Sequence, residues 1–162
     1  MEPLTIDEIR GSFVNSTRSL VKAMTPPPGF TDLPWESLDF LGWRDPKAPN
    51  RGYLVVRRAG GVTGIAVNTQ ASAKPRRGTG LCDLCFTAHQ VTDVALFAAR
   101  RAGTAGREGN TVGTYICADL ACSLYLRGLR DVEVPQGETI APELRIERLS
   151  SRLETFVSRV LA

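Results

Sequence analysis

Apolar residues recur at helical spacing near both ends of the chain. Thr5 to Glu8 form a capping box, and apolar side chains follow at three- and four-residue intervals as far as Pro26. This pattern predicts an amphipathic helix of about twenty residues, which packs on the domain or docks on a partner. From Pro142 to Ala162 a second apolar stripe predicts another amphipathic helix, packed against a β layer.

Apolar runs rich in β-branched residues occupy the middle of the chain. Residues 53–57 and 62–67 flank a glycine-containing turn and predict an antiparallel hairpin. Residues 92–101 and 111–116 predict a second hairpin. The glycine-rich stretch 103–110 is its expected loop, because it lacks the Gly-Lys-Ser/Thr ending of a phosphate-binding loop.

One long stretch carries no periodic pattern. Residues 30–52 are rich in Trp, Pro, Asp and Gly, and they predict an ordered loop anchored by aromatic side chains such as Trp35 and Trp43. The patterns together predict an N-terminal helix and proline-rich link over 1–29. They also predict a single α+β domain over 30–162, built from antiparallel hairpins and flanked by N- and C-terminal amphipathic helices.

Composition and charge exclude few classes of protein. A chain of 162 residues suits one domain, and its formal net charge of +3 permits an acidic partner without requiring nucleic acid. No apolar run approaches the ~20 residues that cross a bilayer, and the acidic N-terminus lacks the features of a signal peptide. We therefore expect a cytoplasmic protein with no membrane partner.

The four cysteines form two pairs, Cys82-x2-Cys85 and Cys117-x4-Cys122. In a reducing compartment such pairs favour metal ligation over disulfides. In a continuous helix, two residues five positions apart would diverge by about 140° and could not share an ion. We therefore expect Cys117 to end a strand, Asp119 to cap a helix, and Cys122 to lie in its first turn, where the helix dipole favours the thiolate.

A Cys-x2-Cys knuckle, a hairpin and a cysteine pair at a strand-to-helix junction predict a treble-clef zinc finger. Four thiolates would complete the coordination of one structural Zn²⁺ and leave no position for an activated water. His89 follows Cys85 by four positions and could replace a ligand. With four cysteines available, we expect His89 instead at the surface or beside the ligands.

Several sequence segments together resemble a known family. They are Phe40–Pro46, Arg51–Val56, the knuckle Cys82–Cys85, Asn110–Cys122 and Arg127–Gly128. Over about residues 38–160 the chain resembles the C-terminal treble-clef domain of the FusB-type elongation factor G-binding proteins. The four-residue gap in the second cysteine pair, with Gly-Thr-Tyr-Ile before it, makes this resemblance specific.

The resemblance implies a binding protein, without enzymatic activity or a small-molecule substrate. Members of the family dock on elongation factor G through the zinc domain, and resistance-conferring members help the factor leave the ribosome when fusidic acid has trapped it. Those members carry a sizeable N-terminal helical domain, whereas one helix is expected here, so the resemblance favours factor binding over drug resistance. It implies four zinc ligands and a contact region beside the finger: Cys82, Cys85, Cys117 and Cys122 as ligands, and Phe86, Arg100, Arg101, Tyr125 and Arg127 as contacts.

Two other functions remain open from the residues alone. A ribosome- or RNA-binding zinc module would place basic side chains on phosphates, although the mild net charge counts against it. Its basic residues are Lys74, Arg76, Arg77, Arg100, Arg101 and Arg107. A thiol redox enzyme could use Cys82 and Cys85, but the second cysteine pair can complete a metal site with them instead.

Overall fold

A five-stranded antiparallel sheet forms the centre of the protein. The computed structural model describes residues 1–70 and 77–162, so Lys74 and Arg76 of the basic set lie outside the described residues. The large sheet has the order β1-β2-β3-β6-β7, and β4 pairs with β5 in a separate small sheet. The strands are β1 (Phe40–Asp45), β2 (Ala48–Arg58), β3 (Gly61–Thr69), β4 (Thr79–Leu81), β5 (Ala88–Gln90), β6 (Val94–Arg100) and β7 (Thr111–Cys117).

Helices are short except for the last one. They are α1 (Ile6–Gly11), α2 (Arg18–Lys22), α3 (Gly103–Arg107), α4 (Cys122–Leu126) and α5 (Pro142–Leu161), with 3₁₀ turns at Phe30–Asp32, Trp35–Ser37 and Val91–Asp93. The structure confirms the α+β class and its antiparallel hairpins. Within the described ranges, no helix is long and apolar enough to cross a membrane.

Two apolar cores lie on opposite faces of the large sheet. The first lies between the sheet and α5, as predicted for this helix, and includes Leu54 and Leu149. The second lies between β1–β3 and residues 1–38, which we call the N-terminal cover, and includes Ile9 and Val55. The division of the chain at residue 29 stays a prediction.

The loop predicted over residues 30–52 is wrong for its second half. Residues 40–45 form β1, and β2 already begins at Ala48. Trp43 of β1 lies opposite Tyr53 of β2, and their rings are 4.9 Å apart. Because the sheet is covered on both faces here, apolar residues stand on both sides of the strand and the alternation that reveals a strand is lost.

The single N-terminal helix predicted from the apolar stripe is also wrong. The capping box of Thr5 and Glu8 is present, but α1 ends at Gly11 and α2 begins only at Arg18. Between them the backbone leaves the helix to pair with β3, since Gly64 donates to Ser12 at 2.9 Å and accepts from Val14 at 3.0 Å. Hydrogen bonds to the sheet therefore replace those of a continuous helix.

The second hairpin is confirmed, but its connection is not a plain loop. Residues 103–107 form the short helix α3, which begins at Gly103 with a positive φ of 65°. Gly106 packs so closely that a Cβ atom would lie 1.8 Å from the carbonyl oxygen of Arg101. The glycines predicted to allow a turn thus also allow α3 to fold back on the end of β6.

Candidate metal centre

The four cysteine side chains meet in one buried cluster. Their sulfur atoms all lie within 4.8 Å of one another, and each residue is fully buried. The Sγ atoms of Cys85 and Cys117 are 3.5 Å apart, and Cys122 Sγ lies 3.7 Å from those of both Cys82 and Cys117. These separations are far longer than the ~2.05 Å of a disulfide bond. All four residues are free cysteines.

The cluster has the dimensions of a zinc site. Four sulfur ligands at about 2.3 Å from Zn²⁺ stand about 3.8 Å apart in a regular tetrahedron. The observed separations of 3.5–3.7 Å are close to that value. The cluster is therefore a zinc-binding site for one structural ion, and its four sulfur donors would complete the coordination.

The first cysteine pair is held by a tight turn that is tied to β7. Phe86 N donates to the carbonyl of Cys82 at 2.9 Å, and Phe86 takes a left-handed conformation with φ of 60°. Asp83 fixes the turn to the strand, because its carboxylate accepts from the backbone of Tyr115 at 2.8 Å and from the hydroxyl of Thr114 at 3.0 Å. These bonds therefore fix the positions of Cys82 and Cys85 in the knuckle relative to Cys117 at the end of β7.

The second pair lies at the expected junction between a strand and a helix. Cys117 ends β7, and Cys122 is the first residue of α4. Asp119 is not the helix cap, since Ala121 occupies that position. The Asp119 carboxylate accepts instead from Ala121 N at 3.1 Å and stabilises the turn, in which Leu120 has a φ of 61°. A turn of this geometry separates the strand from the helix and brings Cys122 back to Cys117.

The crowded thiols cannot all ionise without a cation. Hydrogen bonds from Cys117 and Cys122 lower the pKa of the Cys85 thiol. Hydrogen bonds with Cys117, Cys82 and Cys85, of which that with Cys117 is the largest cause, raise the pKa of the Cys122 thiol well above its ordinary value. Protons are thus shared among the four sulfurs, because several thiolates in one buried pocket repel each other. Zn²⁺ would remove this repulsion and allow all four to bind as thiolates.

Two polar side chains adjoin the sulfurs. The hydroxyl of Thr87 lies 3.2 Å from Cys85 Sγ, and Nε2 of His89 lies 3.3 Å from Cys117 Sγ. Both residues are buried, and the His89 ring packs edge-on against Tyr125. His89 is thus a neighbour of the ligands rather than one of the four.

A family model for the FBP C-terminal treble-clef zinc-finger matches residues 8–160. The chain belongs to this family. Neither a curated protein nor a solved structure matches the chain. The match confirms the treble-clef resemblance drawn from the cysteine framework, and it reaches back into the N-terminal cover.

Three of the contact residues expected for an FBP domain surround the finger, but much of their surface is engaged within the chain. The guanidinium groups of Arg148 and Arg152 both pack on the ring of Phe86, at 4.3 and 4.2 Å from its centroid. The Tyr125 hydroxyl donates to Asp119 at 2.8 Å. Arg127 pairs with both carboxylate oxygens of Asp39, at 2.6 and 2.9 Å, and these hydrogen bonds raise its pKa.

Arg100 and Arg101 do not lie beside the finger, so their expected placement is wrong. In the pairing of β6 with β7, Val94 faces Cys117 at the zinc end and Arg100 faces Thr111 at the other. Six residues of strand separate these ends, or about 20 Å. The hairpin of residues 92–101 and 111–116 was predicted from the sequence, and its observed register gives this separation.

The sequence patterns missed an apolar surface beside the zinc site. Leu96 and Tyr115 face each other across β6 and β7, and Tyr115 shares a small depression with Leu81 of β4. Their exposed fractions are 49%, 40% and 50%. We call these three side chains the apolar patch. It is open because the N-terminal cover packs on β1–β3.

Proposed function

We propose that this FBP-family protein is a zinc-stabilised binding module that docks on translation elongation factor G. Membership of the FBP family over residues 8–160 carries the proposal. The closed arrangement of four sulfur ligands supports binding rather than catalysis, because it offers neither an open coordination position nor a free dithiol. On these grounds we propose that the protein acts as a binding module and not as an enzyme.

The apolar patch is the surface that fits this docking. Its three large side chains are half exposed, lie next to the zinc-held turn, and include Tyr115, a residue type enriched among the strongest contacts of protein interfaces. Zinc holds the first knuckle, whose Asp83 is hydrogen-bonded to the backbone of Tyr115. The metal would thereby give the patch a fixed shape, which lowers the entropic cost of binding.

A titration of the zinc-loaded protein with purified, nuclease-treated elongation factor G tests the docking. Leu96→Ser should weaken binding by tenfold or more, in line with about 1.4 kcal/mol for a single interface contact. Leu144→Ser is the matched control, since Leu144 is similarly exposed at 54% but lies on α5. Failure of the factor to bind after nuclease treatment would refute the proposal, and equal losses in both variants would refute the apolar patch as its surface.

Docking on the factor would also give this protein a means to modulate the factor's release from the ribosome. The experiment is co-sedimentation of ribosomes with the factor trapped by fusidic acid. If the protein promotes release, less factor should sediment when it is added, and Leu96→Ser should restore the sedimented fraction. An unchanged fraction with the unaltered protein would limit the function to binding.

A further inference from the structure

A basic groove lies at the end of β6 that is remote from the zinc site. It encloses about 520 Å³ between the N-terminal cover, the edge of β3 and helix α3. Four arginines line it: Arg51, Arg100, Arg101 and Arg107. Among the described residues, no carboxylate lines this groove and none of its arginines forms a salt bridge.

The groove exists because two neighbouring strands separate. β3 and β6 pair only at Asn68 with Ala98 and at Thr69 with Phe97. Beyond these pairs the amide of Asn15 bridges the gap, donating to the carbonyls of Ala66 and Arg100 at 2.9 Å each. The separated strand ends and the bridging residue are fixed by hydrogen bonds, so the groove is part of the fold.

The groove combines two kinds of side chain. Val14 and Leu20 are partly exposed and contribute apolar surface, whereas the guanidinium groups provide positive charge. Leu20 is 41% exposed, although it belongs to the N-terminal apolar stripe that was expected to pack on the domain or dock on a partner. A ligand that carries an anionic group and a flat apolar group would match both parts.

We propose that this groove binds the phosphate group of a nucleotide unit, supplied by a single-stranded RNA or by a free nucleotide. Arginine presents a planar fork of donors that matches phosphate oxygens in pairs. On an RNA strand, a base would lie on Val14 and Leu20 while its own phosphate and the neighbouring phosphates meet the four arginines; a free nucleotide would offer one phosphate group. An acidic peptide offers carboxylates to the arginines, but a peptide of acidic residues offers no flat ring to the apolar side chains. The proposal is independent of docking on elongation factor G.

The salt dependence of binding gives a quantitative test. A fluorescein-labelled oligouridylate is titrated with the zinc-loaded protein and followed by fluorescence anisotropy. Four phosphates neutralised on a single strand give a log–log slope of about −2.8, which is about a fiftyfold loss of affinity over a fourfold rise in salt. A slope near zero would overturn the proposal.

Two double variants with the same loss of charge separate a local site from general attraction. Arg100→Gln/Arg101→Gln removes two groove arginines and should reduce the slope to about −1.4, with at least a tenfold loss of affinity at low salt. Arg57→Gln/Arg159→Gln removes two exposed arginines outside the groove and should leave the slope near its original value. Equal effects of the two double variants would overturn the groove as the site. Matching thermal unfolding and zinc content establish that both variants are folded.

Competition identifies the source of the phosphate. Displacement of the oligouridylate by uridine monophosphate supports a free nucleotide as ligand, and displacement only by unlabelled oligouridylate supports an extended RNA backbone. Oligoglutamate of the same length is the third competitor. If it displaces the RNA as well as unlabelled oligouridylate does, the groove recognises an acidic peptide and the proposal is wrong.

Discussion

Asn15 is expected to stabilise the fold far more than an ordinary polar residue of a connecting segment. Its side-chain amide donates to the carbonyls of Ala66 and Arg100 at 2.9 Å each, and its Oδ1 accepts from Ala66 N at 2.8 Å. These bonds join the N-terminal cover to both separated strands. Asn15→Ala removes all three and leaves the partly buried backbone groups of Ala66 without this partner.

The expected loss follows from the number of bonds. A hydrogen bond contributes about 1 kcal/mol net, so three give a decrease of about 3 kcal/mol in the free energy of unfolding. Asn15→Asp should be at least as harmful at neutral pH, because a carboxylate would face the two carbonyl oxygens that now accept from the amide. With a urea m-value of about 2 kcal/mol/M, the Asn15→Ala midpoint should fall by about 1.5 M.

Urea unfolding at constant zinc measures this loss, and hydrogen exchange of the Ala66 amide shows whether it arises at the bridge. Asn68→Ala is the control, since Asn68 lines the same groove but is exposed, and no side-chain hydrogen bond is found for it among the described residues. Its midpoint should move by much less. A change in Asn15→Ala below about 0.5 kcal/mol, the usual range for surface substitutions, would refute the bridging role.

Three further predictions concern the zinc site and its supports. Cys117→Ser should lower the zinc content, measured by metal release to a chromogenic chelator, because three sulfurs no longer complete the coordination; full retention would contradict the four-sulfur site. Gly42→Ala should destabilise by about 2 kcal/mol or more in urea unfolding, since its Cβ would lie 2.4 Å from the carbonyl oxygen of Leu120. Gly11→Ala, with open space around it, is the control and should not destabilise. Glu138→Gln should cost about 1 kcal/mol at neutral pH, because hydrogen bonds from Arg148 lower the pKa of Glu138 below its ordinary 4.5. Because the pKa of Glu138 is lowered in the folded state, its carboxylate stabilises the fold at pH values above 4.5, and this stabilisation is lost as the pH falls through the folded-state pKa. The free energies of unfolding of the unaltered protein and of Glu138→Gln should therefore converge in acid. A difference between them that stays constant with pH would contradict this.

The metal centre could be predicted from the sequence because residue type and spacing carry its chemistry. Four cysteines in two short-range pairs already define a closed site, and the helix-angle argument placed Cys122 at the start of α4. The first hairpin and α5 were predicted for a similar reason, since their periodic patterns are local. The residues that determine these elements lie within a few positions of one another along the chain.

The features that were missed depend on partners distant in sequence. Asn15 bonds residues 51 and 85 positions away, so nothing near it marks its role. β1 was hidden because the turn around Leu120 packs on one of its faces and the N-terminal cover packs on the other. The charged residues of the finger could be named, but Arg127 is paired with Asp39, 88 positions away in the sequence, which no local pattern reveals.

The extent of the N-terminal cover explains where the protein can bind. The cover packs on β1–β3, which leaves the outer side of β6 and β7 with Leu96 and Tyr115 exposed at the zinc end. At the opposite end Asn15 of the cover closes the gap between β3 and β6 and thereby shapes the basic groove. The two proposed surfaces are thus separated by four residues of β6, from Leu96 to Arg100, or about 13 Å. At this distance variants of the two surfaces should affect their ligands independently, as sites without shared partners do.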